Sequence, residues 1–402
     1  MVIKYRQKSM RYNKFMDLFQ RMATPIVARK YKSFYNSLAY LSKKSYRYEV
    51  KRNLLKEDDI LTDKQQKEII DYWKRYTKDF DISFHRYYIN RTKNYDVRYI
   101  PDDLYAGYID KYLNNREIES GIADKNYFDM YLKGFKMPNT YLHIINGQFL
   151  DANYNLINLE KAISTLLQYK SLIVKPSMTS YGGKNVCFFE NYKYDDIKKY
   201  LENIKDGNLI FQETIKQHKN MAILHPNSVN TIRIMTLIIN GEVQTLSSSL
   251  RLGVGKSKVD NASAGGIYCG INEKGNLTNF AYDSNGNRYE KHPDGVEFDK
   301  CNLPFMDKVK ELVKMAAQRF PHFRCIGWDI AIDENGEPLI IEANLTMSSL
   351  DVVQTVGGPL FGEYTDEVLE EVFHNKKRKE KIFYLRKIIK IKSFILKLFS
   401  NP

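Results

Sequence analysis

Cys325-Ile326-Gly327-Trp328-Asp329-Ile330-Ala331-Ile332 is followed, across Glu334-Asn335-Gly336, by Pro338-Leu339-Ile340-Ile341-Glu342-Ala343-Asn344. Both runs are apolar and rich in Ile, and the turn residues between them make the segment Ile326 to Ser348 read as a hairpin. Alternate residues of a strand share one face, so Glu342 and Asn344 point the same way, and the hairpin can bring Asp329 beside them. Three oxygen donors then converge. Mg²⁺ takes such hard ligands, commonly one or two carboxylates, with phosphate and water oxygens completing its octahedron. Glu-Ala-Asn alone also fits a hairpin with an ordinary polar face.

Working outward, Val174-Lys175-Pro176 leads into Ser177-Met178-Thr179-Ser180-Tyr181-Gly182-Gly183-Lys184. A lysine at the end of a strand, facing a loop of small residues, suits phosphate, because successive backbone N–H groups form an anion nest while the ammonium neutralises charge. Gly182-Gly183 alone equally fits an ordinary turn. The P-loop spacing GxxxxGK[ST] is absent here, and Gly253-Val254-Gly255-Lys256-Ser257 also lacks it. Phe211-Gln212-Glu213-Thr214-Ile215 reads as a strand entering a hinge able to present backbone groups to an adenine edge.

Strands are predicted at Thr140 to Ile145, Ser171 to Lys175, Val186 to Glu190, Leu209 to Glu213, Thr231 to Asn240 and Glu242 to Leu250, the last two joined by Asn240-Gly241. Helices are predicted from Asp124 to Leu132 and from Met306 to Phe320, and the chain up to about Thr77 reads as helical. Between Asp81 and Leu113 aromatic and polar residues alternate, and Pro101 with Gly107 marks a turn region. Strands mixed with crossing helices indicate an α/β or α+β enzyme.

The 402 residues suffice for one or two substantial cores, and 43% hydrophobic residues support a globular chain. No run approaches the roughly 18 apolar residues that span a bilayer, and no apolar leader segment is evident. The four widely spaced cysteines, Cys187, Cys269, Cys301 and Cys325, form no CxxC pair, so they read as reduced thiols and not as a zinc or redox motif. The net charge of +14 is carried by the ends, +13 from Met1 to Lys56 and +9 from Lys376 to Lys397, which leaves Glu57 to Asn375 at about −8. A nucleic-acid partner is therefore not expected.

The order of the three constellations resembles the ATP-grasp superfamily over about Asp124 to Ser348, and the later part is similar to the subgroup associated with sugar transfer and polysaccharide gene clusters. The resemblance implies an α+β architecture of two α/β lobes closing on ATP. A largely helical N-terminal region would precede them and a basic amphipathic C-terminal helix would follow. The implied divisions are 1–80, 81–170 with the first ATP lysine, 171–375 for the ATP-grasp lobes, and 376–402.

Under this resemblance Lys125 and Lys175 look like the two phosphate lysines, Ser177, Tyr181, Gly182 and Gly183 belong to the phosphate-covering loop, and Gln212, Glu213, Thr214 and Ile215 form the adenine hinge. His218, or Gln217, falls near the ribose position, where the family's usual acidic residue is replaced. Asn230-Thr231-Ile232-Arg233 and Ser249-Leu250-Arg251 look like the strand pair aiming Arg233 and Arg251 at phosphate and substrate carboxylate, a role suited to a planar guanidinium. Asp260, Asn261, Gly265 and Gly266 resemble the loop framing the acceptor. Asp329, Glu342 and Asn344 match the family's magnesium ligands.

The implied cofactors are ATP and Mg²⁺, with Mn²⁺ as an alternative. The implied reaction is ADP-forming carboxylate–amine ligation through an acyl phosphate, on a carboxylated sugar or related precursor of a surface polymer such as capsule. Phosphoryl transfer then rests on positioning and charge neutralisation by Lys125, Lys175 and Arg251, and His218, His225 and His292 are expected to be structural or substrate-contacting. A sugar-hydroxyl kinase on the same fold, and a non-enzymatic basic scaffold at a membrane, remain open. The tail from Leu385 onward alternates apolar and basic residues at helical spacing, a pattern that fits an anionic lipid surface or docking on the protein's own core. The expected location is cytoplasmic, with peripheral contact at the inner face of the cell membrane.

Overall fold

A computed structural model describes residues 44–51, 54, 61–178, 185–204, 207–298 and 301–374. Most of the predicted N-terminal helical region, residues 179–184 of the glycine loop and the basic tail lie outside the described residues. Among those described, no helix is long and apolar enough to cross a membrane. Two antiparallel sheets dominate. One has five strands in the order β2-β1-β5-β3-β4, with β1 Thr140–Ile145, β2 Gln148–Asp151, β3 Ser171–Pro176, β4 Cys187–Glu190 and β5 Leu209–Gln212. The other has seven in the order β10-β9-β8-β7-β6-β11-β12, comprising β6 Thr231–Ile239, β7 Glu242–Leu252, β8 Ile267–Ile271, β9 Leu277–Tyr282, β10 Arg288–Tyr289, β11 Cys325–Ile332 and β12 Pro338–Asn344.

The smaller sheet is covered on one face by the helices Leu159–Leu166 and Tyr194–Glu202. Ala162, Ile163, Leu166, Ile197 and Leu201 pack there on Leu172, Val174, Leu209 and Phe211. Strand periodicity sends the intervening residues Lys175, Ile210 and Gln212 to the opposite face. Asn146-Gly147 and Asn240-Gly241 take positive φ at both positions, at 51° and 77° and at 54° and 80°, the conformation that two-residue hairpin loops require.

In the larger sheet, β6 divides its residues between two cores. Ile232 and Ile234 face the helix Met306–Ala317, whose Met306, Val309, Val313, Ala316 and Ala317 recur at helical spacing on one side. Met235, Leu237 and Ile239 face a second layer, built from the helices Asp63–Lys74, Leu350–Gly357 and Thr365–His374 and the segment 84–113. Thr231 and Arg233 lie on that same second face, beyond the apolar part. The face thus changes from hydrophobic to charged along the strand, and its charged end is the candidate site.

The segment Asp81 to Leu113 is mostly helical, with residues 93–101 outside any helix, which corrects the turn reading at Gly107. Ser83–Thr92 is a helix, Pro101 precedes the short helix Asp102–Leu104, and Gly107 lies inside the π-helical turn Tyr105–Ile109. Within Asp124 to Leu132, Asp124 caps a 3₁₀ turn over Lys125–Tyr127, which passes into the helix Phe128–Tyr131.

Candidate functional site

The hairpin that joins β11 to β12 closes with Ile332 opposite Pro338, Ala331 opposite Leu339 and Ile330 opposite Ile340. Continued unchanged, that register would set Asp329 against Ile341 and send Glu342 to the other face. A β-bulge intervenes, Ile341 is the extra residue, and Asp329 pairs directly with Glu342 while Gly327 pairs with Asn344. Asp329, Glu342 and Asn344 therefore share a face. Asn344 Nδ2 lies 3.5 Å from Asp329 Oδ2.

Register extends the cluster across the sheet. Arg233 of β6 pairs with Asp329, and Thr231 pairs with Arg251 of β7. Arg233 Nε donates to Asp329 Oδ1 at 2.5 Å and its Nη2 to Oδ2 at 3.2 Å, a two-point contact between side chains that are both nearly inaccessible. Arg251 reaches Asp329 Oδ2 at 3.0 Å and Asp260 Oδ2 at 3.5 Å, and it donates to Thr231 Oγ1 from Nε at 3.0 Å and from Nη2 at 2.7 Å. Asp260 also accepts the Thr231 N–H at 3.0 Å. Burial works against the Asp329 charge, yet Arg233 and Arg251 outweigh it and hold the carboxyl below its ordinary range. Burial pushes Asp260 the other way, upward, despite Arg251 and Thr231.

The second wall comes from the smaller sheet and the turn before it. Lys125 Nζ pairs with Glu342 Oε1 at 2.9 Å, and the Lys125 backbone N–H donates to the Ser177 carbonyl at 3.0 Å. That bond ties the start of the glycine loop to the first lysine. Lys175 sits among Lys125, Glu342, Asp129 and Asp329. Burial, with the neighbouring Lys125, lowers its pKa from 10.5 to about 8 against the pull of the carboxylates. Asp129, which the sequence reading did not single out, faces Lys175, and burial raises its carboxyl. Ser177 is fully buried, and its Oγ has no hydrogen-bond partner among the described residues.

The hinge is clamped by the start of β1. Glu213 N–H donates to the Asn139 carbonyl at 2.9 Å, Asn139 Nδ2 donates to Glu213 Oε2 at 2.5 Å, and Gln212 Nε2 donates to Thr140 Oγ1 at 3.3 Å. Thr214 Oγ1 meets Ser171 Oγ at 2.6 Å, and Ile215 is half-buried beyond it. Asn139 carried no sequence signal beyond its place after Met137-Pro138.

Other candidates are engaged in contacts that shape their own segments. The His218 ring caps the helix Lys219–Ala222 by accepting from Asn220 N–H at 3.2 Å, and it packs edge-on against Phe305. Gln217 donates to the His225 and Ser228 carbonyls. The fully buried Asn230 donates to the Met221 and His225 carbonyls at 2.7 and 2.9 Å, so its amide holds a loop together. Asn261 accepts from Ser263 N–H at 3.0 Å, which shapes the turn to Gly265 at φ 91°. Gly266 packs so closely that a Cβ would stand 2.7 Å from the Asp260 carbonyl oxygen. Tyr181, Gly182 and Gly183 lie outside the described residues.

The site therefore sets four cations, Lys125, Lys175, Arg233 and Arg251, against the carboxylates Asp260, Asp329 and Glu342 between two sheets. Its cations fit a polyphosphate, and the oxygen set of Asp329, Glu342 and Asn344 fits a hard dication. Similar solved structures include the biotin carboxylase domain of the Hydrogenobacter thermophilus 2-oxoglutarate carboxylase, at 15% identity over 65% of this chain and 47% of that one, with a TM-score of 0.40. They also include the Coxiella burnetii D-alanine–D-alanine ligase, at 12% identity over 68% and 63% of the two chains with a TM-score of 0.39. The Bacillus licheniformis L-amino acid ligase is similar at 15% identity over 63% and 48%, with a TM-score of 0.37. The chain thus spans between 47% and 63% of the length of these proteins. Among curated proteins none matches. The model of the sugar-transfer associated ATP-grasp family matches residues 104–368. That match takes in both arginines, both lysines and all three oxygen donors, and the chain belongs to the sugar-transfer associated ATP-grasp family.

Proposed function

We propose that this ATP-grasp enzyme ligates a carboxylate to an amine through an acyl phosphate, and that the carboxylate is carried by a sugar or a related precursor of a surface polysaccharide. The observation that supports the reading is the convergence of Lys125, Lys175, Arg233 and Arg251 on Asp329 and Glu342. A substrate carboxylate oxygen attacks the γ-phosphorus of ATP and ADP leaves. An amine then attacks the acyl carbon, phosphate departs, and the amine proton passes to phosphate or solvent.

Asp329, Glu342 and Asn344 would hold Mg²⁺, which neutralises phosphate charge when bound. Lys125 and Lys175 bind the phosphates, and Lys125 releases Glu342 as it turns towards them. Arg251, held by Thr231 and Asp260, neutralises the charge that develops in phosphoryl transfer, and Arg233 beside it holds the substrate carboxylate or the developing phosphate. The hinge Gln212 to Ile215 takes adenine, the loop from Ser177 through Tyr181, Gly182 and Gly183 covers the phosphates, and Asn261, Gly265 and Gly266 frame the acceptor. The basic tail would hold the enzyme at an anionic membrane surface.

Purified enzyme with Mg-ATP and a panel of uronates and amines tests the chemistry. ADP release that needs both partners, with an amide identified by mass spectrometry, is the expected result. Release of neither ADP nor amide across the panel overturns the reading, and ADP release without amine dependence reassigns the enzyme to hydroxyl phosphorylation.

A further inference from the structure

His225, His292 and Asp294 meet away from the ATP-grasp cluster, and each offers one ligand atom, all lying within 4.8 Å of one another. Both histidines are buried, while Asp294 stands at the surface with its side chain 38% exposed. Each imidazole is oriented by its outer nitrogen. His225 Nε2 bonds the Ser257 carbonyl at 3.1 Å and His292 Nε2 bonds the Gly253 carbonyl at 2.9 Å. A carbonyl only accepts, so Nε2 carries the proton in both rings, and both Nδ1 atoms face inward.

His225 Nδ1 lies 3.0 Å from Asp294 Oδ2, and His292 Nδ1 lies 3.5 Å from the same oxygen. His292 Nδ1 carries its lone pair, which accepts the Asp294 N–H at 3.1 Å, and a bound ion would take the place of that bond. With Nε2 donating to the Gly253 carbonyl and Nδ1 accepting, that ring is the neutral tautomer that a metal needs. A lone pair on His225 Nδ1 cannot rest 3.0 Å from a carboxylate oxygen unless a proton or a cation lies between them. Metal–ligand bonds of about 2.0 to 2.2 Å put neighbouring donors about 3 to 3.4 Å apart, close to the two separations from Asp294 Oδ2. Ring N–H groups tied to backbone carbonyls are also the usual outer support of metal-bound histidines.

We propose that His225 Nδ1, His292 Nδ1 and the Asp294 carboxylate bind a transition-metal dication of the Zn²⁺ class, with water completing the shell on the exposed Asp294 side. Two nitrogen donors select such an ion over Mg²⁺. The ion would clamp the segment from Gly253 to Ser257, whose ends lie two residues after Arg251 and three before Asp260, and so would fix the loop that positions both. Gly253 is already packed to the limit there, because a Cβ would come within 2.6 Å of Ser228 Oγ and 2.8 Å of the His225 ring.

The test uses the full chain without nucleotide, so its outcome is independent of the ligase reading. Chelator-treated protein is titrated with Co²⁺ and Zn²⁺ in excess Mg²⁺, and metal content, Co²⁺ d–d absorption and thermal unfolding are followed. The expected result is one tightly held equivalent with a raised unfolding temperature, both lost in His225→Gln and in Asp294→Asn. Asp294 is exposed, so its variant keeps the fold even if the buried histidine variant does not. Metal uptake that is equal in wild type and Asp294→Asn overturns the site. So does nitrogen-15 NMR showing His225 protonated on both nitrogens at neutral pH while Co²⁺ is present.

Discussion

Replacing Lys175 with Met is expected to move stability and activity in opposite directions. The ammonium is held in a partly desolvated place beside Lys125, which lowers its pKa from 10.5 to about 8. A displacement of that size corresponds to on the order of 3 kcal/mol between the charged and neutral forms. The side chain keeps partial access to the cleft, so about 1 to 3 kcal/mol reaches the folding equilibrium. Because the folded value lies below the unfolded one, the charged form destabilises the fold at pH 7. That penalty fades as pH rises from about 8 towards 10.5. Lys175→Met is a near-isosteric neutral replacement, so urea denaturation at pH 7 should show it equal to or more stable than wild type by up to about 2 kcal/mol. It should also lack the rise in wild-type stability between pH 8 and 10. Mg-ATP should stabilise wild type strongly and the variant little, and turnover should fall by about 10² to 10³. A variant clearly less stable than wild type at pH 7, or one that keeps its Mg-ATP stabilisation, would refute the assignment of Lys175 as a phosphate ligand under electrostatic strain.

Two further substitutions probe the sheet face. Asp329→Asn leaves Arg233 and Arg251 without the carboxylate that both contact, and it should cost about 3 to 5 kcal/mol in chemical denaturation as well as abolishing turnover. A loss below about 1 kcal/mol would mean that the pair is not desolvated as described. Gly266→Ala places a Cβ against the carbonyl oxygens of Asp260 and Leu252, at 2.7 and 2.8 Å, so the backbone must shift, at a cost of about 1 to 3 kcal/mol. Its kinetic signature should be a raised KM for the carboxylate with that for ATP unchanged, and an equal rise in both would argue against an acceptor role for this loop.

Local chemistry made much of this architecture legible. Asn240-Gly241 and the apolar runs beside it specify β6 and β7 almost to the residue, because a tight hairpin needs positive φ where those two residues tolerate it. The segment 83–113 was not legible in the same way. Its aromatic residues imitate an alternating pattern, whereas burial of Phe84, Tyr88 and Ile89 against the larger sheet makes Ser83–Thr92 helical. The strands β8 to β10 and the helix Leu350–Gly357 also passed without a signal, since packing on the sheet and not local propensity fixes them.

The sequence by itself determined the residue types of the ATP-grasp site and their order along the chain: two lysines, two arginines, and the Asp, Glu and Asn of the hairpin. Only the tertiary structure decided which of these meet. A bulge at Ile341 turns Glu342 to the face of Asp329, and cross-strand register lays Arg233 and Arg251 on that carboxylate. The same packing draws His225 and His292, 67 residues apart, to one Asp294 oxygen. Side-chain facing along a strand alternates with each residue, so a single inserted residue reverses it, and no local pattern records where that insertion falls.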